Sequence, residues 1–295
     1  MMEERYKKEG ERLKRIGFIG TGSMGKILIE SFLDAHAITP NNVTITNRTI
    51  DKAKQIADSY EGVNVAGDAR SLIKECDWVF LCTKPLQMIP LLEEVKDILT
   101  ERHVLISITS PLLVEELEKI TEAKVVRFIP SIVNRAQEGP SLVTFGQNVA
   151  NEDKEELMRF FKTISTPELI SDDVTRVASD IGCCGPAFIS FLVEEMIKAA
   201  VQETNIKEDE ATNIMESMLI GYGELLRKKY FTLQTLQERV TVPGGVTGVG
   251  LNVLRSEIGQ QFNHLFKSTH EKYAEDRHLI QKQLTENNTR AETGK

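Results

Sequence analysis

The segment Ile16–Gly17–Phe18–Ile19 runs directly into Gly20–Thr21–Gly22–Ser23–Met24–Gly25 and then into the apolar run Ile27, Leu28, Phe32 and Leu33. A short apolar strand, a turn with glycine at its first, third and sixth positions, and a helix leave few folds open. In that context Gly20 permits the tight turn, Gly22 lets the backbone approach a diphosphate, and Gly25 lets the helix pack close to the strand. The helix N-terminus adds unpaired N–H groups and the positive end of a dipole. Gly20, Thr21, Gly22, Ser23, Met24 and Gly25 are therefore candidates for holding a dinucleotide. The alternative is a glycine-rich turn without a ligand.

From Arg15 to about Pro167 short β-branched runs alternate with amphipathic stretches. Strands are expected at 16–19, 43–46, 63–65, 78–82, 104–108, 124–129 and 142–145, and helices at 23–33, 51–59, 86–99 and 114–120. That alternation predicts βαβ units and a mostly parallel sheet covered on both faces. After about Ile170 the pattern becomes helical. Ala211, Ile214, Met215, Met218, Leu219, Tyr222, Leu225 and Leu226 share one wide face. The stretch 186–201 is apolar around most of its cylinder, through Phe188, Ile189, Phe191, Leu192, Val193, Met196 and Ile197. A second copy of the chain is an economical way to cover it, so a homodimer through the helical half is expected, with further assembly of dimers left open. The expected division is a charged extension over 1–14, a dinucleotide-binding domain over 15–167 and a helical domain over 168–295. The polar residues from about Thr285 to Lys295 are expected to fray.

The second strand ends in Asn47–Arg48–Thr49, and no acidic residue comes before Asp51. A carboxylate near this point would hold a ribose 2′-hydroxyl, whereas an arginine accommodates a 2′-phosphate. NADPH is accordingly expected in preference to NADH, with Arg48 as a solvated loop residue the alternative. In the helical half, Pro243–Gly244–Gly245–Val246–Thr247 makes a turn into another amphipathic stretch. Its amides form a nest suited to a carboxylate, and the Thr247 hydroxyl can donate to a substrate nitrogen or oxygen. An ordinary loop with Thr247 as helix cap is the competing reading.

Thirty-six Lys plus Arg against 44 Asp plus Glu leave a net charge of −8. That balance lacks the basic field of a nucleic-acid binder. The charged N-terminus has no apolar signal region, and no uninterrupted apolar run reaches membrane-spanning length, so a cytoplasmic location is expected. Cys76, Cys82, Cys183 and Cys184 have no metal-ligand spacing, and adjacent Cys183 and Cys184 bridge only under strain. Either could be a reactive thiol at a helix start, or a small packing residue. Glu194 and Glu195 point to different faces of a helix. His264, His270 and His278 do not share one face, so no metal site is expected.

The two turns, their order and their separation resemble the pyrroline-5-carboxylate reductase family over nearly the whole chain from Arg15 to about Ser268. Gly17–Met24 is similar to its opening strand and turn, and Asn47–Arg48 to its Asn-Arg pair. Thr83–Lys84–Pro85 is similar to its Val-Lys-Pro beside the nicotinamide ribose. Ser107–Ile108–Thr109–Ser110 is similar to its strand end beside the nicotinamide. Gly185–Pro186–Ala187–Phe188 resembles its Gly-Pro-Ala-aromatic helix start, and Pro243–Thr247 its Pro-Gly-Gly-Thr-Thr. The resemblance implies an α/β, Rossmann-type, doubly wound sheet followed by an all-α dimerisation domain. It implies hydride transfer from NAD(P)H to the C=N carbon of a cyclic imine, giving L-proline. Thr83, Lys84, Pro85 and Thr109 would join the cofactor residues. Gly244, Gly245, Val246 and Thr247 would bind substrate, and Thr247 would contact the imine nitrogen as the catalytic residue.

Several positions depart from the family pattern. Val242 stands for its Ser, Val246 for its first Thr, Ile129–Val133 for its Met-Pro-Asn-Thr-Pro, and Gly182–Pro186 for its Ser-Gly-Ser-Gly-Pro. Such changes resemble the late-competence (ComER-type) branch, whose members carry the reductase fold and are associated with regulation. That implies an alternative function, a dinucleotide-binding regulator with weak or no turnover. A β-hydroxyacid dehydrogenase shares the two-domain plan but needs a Lys one turn into the interdomain helix. Here the next Lys is Lys198.

Overall fold

The computed structural model describes residues 13–293; most of the expected charged extension over 1–14 lies outside them. The chain divides into two compact units. One holds the residues up to Cys184 together with the chain from Thr269 onward, and the other is Gly185–Ser268. The sequence-based division at 167/168 thus differs from the compact units in two respects: the break comes later, and the C-terminal segment joins the first unit.

The first unit runs β1 (Ile16–Ile19), α1 (Ser23–Asp34), β2 (Val43–Thr46), α2 (Ile50–Ala57), β3 (Asn64–Val65), α3 (Ala69–Glu75), β4 (Trp78–Leu81) and α4 (Pro85–Val95). It continues through β5 (Val104–Ser107), α5 (Val114–Glu118), β6 (Lys124–Ile129), β7 (Pro140–Phe145), α6 (Asn151–Phe161), β8 (Thr166–Leu169) and α7 (Thr175–Ser179). The eight strands form one sheet in the order β3-β2-β1-β4-β5-β6-β7-β8. Every neighbouring pair is parallel except β6 with β7.

Side chains alternate across the sheet and build two separate cores. Ile16, Phe18, Trp78, Phe80, Val104, Ile106, Val126 and Phe128 face one side and pack with Leu28, Ile29, Phe32 and Phe161. Ile19, Val79, Leu81, Leu105 and Val125 face the other and pack with Leu72, Met88, Leu92 and Leu117. Burial on both faces explains why these strands read as continuous apolar runs. On the second face Gly17 is required by α3, since a Cβ there would lie 2.3 Å from Leu72 Cδ2.

The second unit comprises α8 (Gly185–Glu203), α9 (Glu208–Arg227), α10 (Leu233–Val240) and α11 (Val246–Glu257). Its apolar residues are largely uncovered within one chain: Met196 is 65% exposed, Ile214 63% and Ile220 72%. A continuous face of that kind marks an interaction surface rather than a finished core. By length and composition alone the helical run Asp172–Glu203 could also cross a membrane.

Two of these readings need correction. The polar stretch from Thr285 is helical as far as Thr293, the last described residue, as part of α12 (Gln261–Thr293), whose Ile280 is buried and Leu284 half-buried; residues 294–295 lie outside the described residues. Gly185 opens α8, as the resemblance implies, and α7 runs into that start through a π-turn at Asp180–Cys184. Proline has no N–H for the usual backbone bond, and a π-turn before it accommodates that loss. Thr247 does not cap α11: Gly245 holds the N-cap position, without a side-chain bond.

Candidate functional site

β1 lies between β2 and β4, so the chain leaves β1 for one side of the sheet and later crosses to the other. The carboxyl ends of strands at such a switch point form the crevice in which open α/β sheets bind ligands. Four loops meet there, carrying Gly20–Gly25, Asn47–Thr49, Thr83–Pro85 and Thr109.

The three glycines have three different reasons. Gly20 has φ +103°, and a Cβ there would lie 2.7 Å from the carbonyl oxygen of Cys82. A Cβ on Gly25 would lie 2.2 Å from the carbonyl oxygen of Gly20, so α1 rests directly on the turn. A Cβ on Gly22 would meet no protein atom within 4 Å, and Gly22 and Ser23 are both exposed. Gly22 is also the N-cap of α1 and offers no side-chain acceptor, which leaves the first-turn N–H groups without an acceptor from the cap.

Asn47 ties this turn to the next loop. Its Oδ1 accepts from the Thr21 N–H at 3.1 Å, and its Nδ2 donates to the Thr49 carbonyl at 2.9 Å. Arg48 is exposed beside it and, among the described residues, pairs with no carboxylate. The hydroxyls of Thr21 and Thr83 are buried without a hydrogen-bond partner. Lys84 is exposed at the N-cap of α4, with Pro85 as the first helical residue. Thr109 is half-buried, its hydroxyl 3.3 Å from Ser107 Oγ. Met24 is half-buried on the first turn of α1.

The open space at Gly22, the acceptor-free helix N-terminus, the orphaned hydroxyls and the unpaired cation fit a dinucleotide. The structure brings the sequence-predicted cofactor residues together at one edge of the sheet.

The second turn lies in the other unit. Gly244 has φ +74°, and the Gly245 N–H is engaged, donating to the Val242 carbonyl at 2.9 Å. The donors left for an anion are the Gly244 N–H and those of Val246, Thr247 and Gly248 in the first turn of α11. Val246 is 88% exposed and Thr247 half-buried.

The other candidates resolve as follows. The Cys183 thiol is pushed up to about 12, chiefly by burial, so it is not activated; burial likewise raises Cys82 beneath the glycine turn. Glu194 and Glu195 are exposed and both pair with Lys198, at 2.9 and 3.0 Å. No group of three or more His, Cys, Asp or Glu able to hold a metal occurs among the described residues.

One buried network escaped the sequence. Arg127 on β6 has its side chain wholly buried, and its Nη2 donates to Thr144 Oγ1 at 3.0 Å, Asp172 Oδ1 at 2.6 Å and Thr175 Oγ1 at 2.7 Å. An arginine amid Val125, Val126, Phe128 and Ile129 was the available signal.

Residues 15–111 match the family described as NADP oxidoreductase coenzyme F420-dependent, and residues 172–276 that of pyrroline-5-carboxylate reductase dimerisation. ComE operon protein 4 of Bacillus subtilis (strain 168) is 47% identical over 270 residues, covering 92% of this chain and 99% of that protein. Pyrroline-5-carboxylate reductase 3 of the same strain is 29% identical over 262 residues, covering 88% and 96%. The crystal structure of Plasmodium falciparum pyrroline carboxylate reductase with NADP bound has a TM-score of 0.76 at 24% identity, covering 92% and 99%, a likeness of fold. With a dinucleotide-binding fold, a matched dimerisation region and a close relative along nearly its whole length, the chain belongs to the pyrroline-5-carboxylate reductase family, on the ComER-like branch of ComE operon protein 4.

Proposed function

We propose that the chain is an NADPH-dependent reductase of the C=N bond of 1-pyrroline-5-carboxylate or a related cyclic imine, forming L-proline or its analogue. The observation that carries this reading is the turn around Gly22, where the protein leaves open space at a helix N-terminus and fills the space around its neighbours Gly20 and Gly25. The first-turn N–H groups of α1 would hold the diphosphate, and Arg48 would hold the 2′-phosphate. Thr83, Lys84 and Thr109 hold the nicotinamide side.

Bound NADPH supplies a hydride to the imine carbon, and the nitrogen takes up a proton. The chain's own residues position and polarise. The Gly244 N–H and the first-turn amides of α11, at Val246, Thr247 and Gly248, hold the substrate carboxylate; the Gly245 N–H, engaged with the Val242 carbonyl, does not join them. Thr247 Oγ1 donates to the imine nitrogen. Orientation and a preset electrostatic field account for the rate, without a strong general base.

The chain acts in the cytoplasm as a homodimer, its partner copy covering the apolar faces of α8 and α9. The name of the 47%-identical relative and the valines at 242 and 246 favour a second reading. Each Val removes a hydroxyl worth about 1 kcal/mol of hydrogen bonding, which points to a regulator that binds the dinucleotide and turns over slowly. The oxidation of NADPH with 1-pyrroline-5-carboxylate, followed at 340 nm, decides between them. Sustained turnover supports the reductase, binding without turnover supports the regulator, and failure to bind NADPH overturns both.

A further inference from the structure

Thr269, Tyr273, Arg277 and Gln281 recur at every fourth residue of α12 and so share one stripe. Each bonds within the first unit. Thr269 Oγ1 donates to Asp180 Oδ2 at 2.7 Å, and Tyr273 OH donates to the Ser110 carbonyl at 3.2 Å. Arg277 Nη1 donates to the Pro111 carbonyl at 2.8 Å, and the same guanidinium closes on both oxygens of Glu116 at 2.7 and 2.9 Å. Gln281 Nε2 adds a bond to Glu116 Oε1, and Glu116 Oε2 accepts from the Leu113 N–H at 2.9 Å.

The stripe thereby fixes the main chain of the loop between β5 and α5, directly after Thr109. It also reaches α4. Pro90 has no N–H to give the Leu86 carbonyl one turn earlier, and Gln283 Nε2 donates to that carbonyl instead, at 3.1 Å. Buried Ile280 seats the helix among Leu112, Val114 and Leu117.

We propose that this face of α12 is a positioning clamp for the nicotinamide half of the cofactor site, acting through the backbone of the loops that carry Thr109 and Lys84–Pro85. The proposal rests on the dinucleotide reading above. The bonds run to main-chain carbonyls and to a carboxylate that anchors a main-chain N–H, so losing one leaves the loop's side chains intact but moves them. Tyr273, Arg277 and Gln283 touch no substrate in this scheme.

The test titrates the full-length chain and its Tyr273→Phe and Arg277→Lys variants with NADPH and with adenosine 2′,5′-bisphosphate, which carries the adenine half alone. Each variant is expected to bind NADPH about fivefold more weakly, the worth of one hydrogen bond, and to bind the bisphosphate as the wild type does. Equal losses for both ligands, or no loss for either, overturn the clamp. Wild-type protein that binds neither ligand sinks the dinucleotide reading and the clamp with it. Should Arg277→Lys fail to fold, Tyr273→Phe, which removes one hydroxyl, carries the test.

Discussion

Arg127 Nη2 and Asp172 Oδ1 lie 2.6 Å apart, the guanidinium wholly buried and the carboxylate 40% exposed. The pair joins the middle of β6 to the segment that leads into α7. Removing the carboxylate leaves a buried cation with only the Thr144 and Thr175 hydroxyls and the Ser110 carbonyl for company. Breaking a fully buried pair costs about 3–5 kcal/mol; partial exposure of Asp172 reduces that, and Asp172→Ala is expected to lower the unfolding free energy by about 1–3 kcal/mol. Urea denaturation at neutral pH measures it, with Asp97→Ala, at the solvent-exposed Arg70–Asp97 pair, as a control that changes little. If the two variants unfold alike, the buried pair has no special role.

Gly22→Ala and Gly25→Ala should separate binding from folding. Gly22 has φ −69° and ψ −174°, which alanine adopts freely, and its Cβ would point into open space. That variant is expected to melt with the wild type while binding NADPH about tenfold or more weakly, since the methyl occupies the diphosphate's place. In Gly25→Ala the methyl meets the Gly20 carbonyl, and overpacking of that kind costs about 1–3 kcal/mol. A melting temperature unchanged in Gly25→Ala would contradict the packing described here.

Arg48→Ala is expected to weaken NADPH about tenfold and NADH by less than about twofold, because only NADPH offers the 2′-phosphate for charge-assisted bonding. Parallel titrations of the two cofactors check it. Equal losses would assign Arg48 to the solvent.

His103 predicts a pH dependence of stability. Its Nδ1 accepts from the Thr100 N–H at 3.0 Å, and its Nε2 lies 3.3 Å from the Ile73 carbonyl oxygen and 3.2 Å from Arg102 Nε. Burial first, and the neighbouring Arg102 second, push its pKa below the usual 6.5. The folded protein keeps the ring neutral, whereas the unfolded chain takes up a proton. The contribution is therefore complete above about pH 6.5 and is lost as the pH falls through the lower folded value. Between pH 7 and pH 5 the urea midpoint should fall more steeply in the wild type than in His103→Gln.

The parallel core was legible because β1, β4 and β5 are buried on both faces, and that burial writes itself as nearly continuous apolar runs; β6 reads the same way except at Arg127. β8 was not, since an edge strand tolerates Pro167 and Glu168, which read as loop. α3 and α6 went unread for a related reason: each shows the core only a few apolar side chains, Leu72 and Ile73 in one, Leu157 and Phe161 in the other. The glycine turn was read from neighbours in the chain. The Arg127 network and the α12 stripe join residues 17 to 166 positions apart, and no local pattern encodes such partners.

The region matched to the dimerisation family stops at residue 276, one short of Arg277. A chain trimmed to that boundary would retain Glu116 and discard the guanidinium and amide that neutralise and fill the ground above it. Deletions or bulky fusions at the carboxyl end would therefore disturb the loop after β5, in the unit that carries the glycine turn, and expression designs should leave the final helix whole.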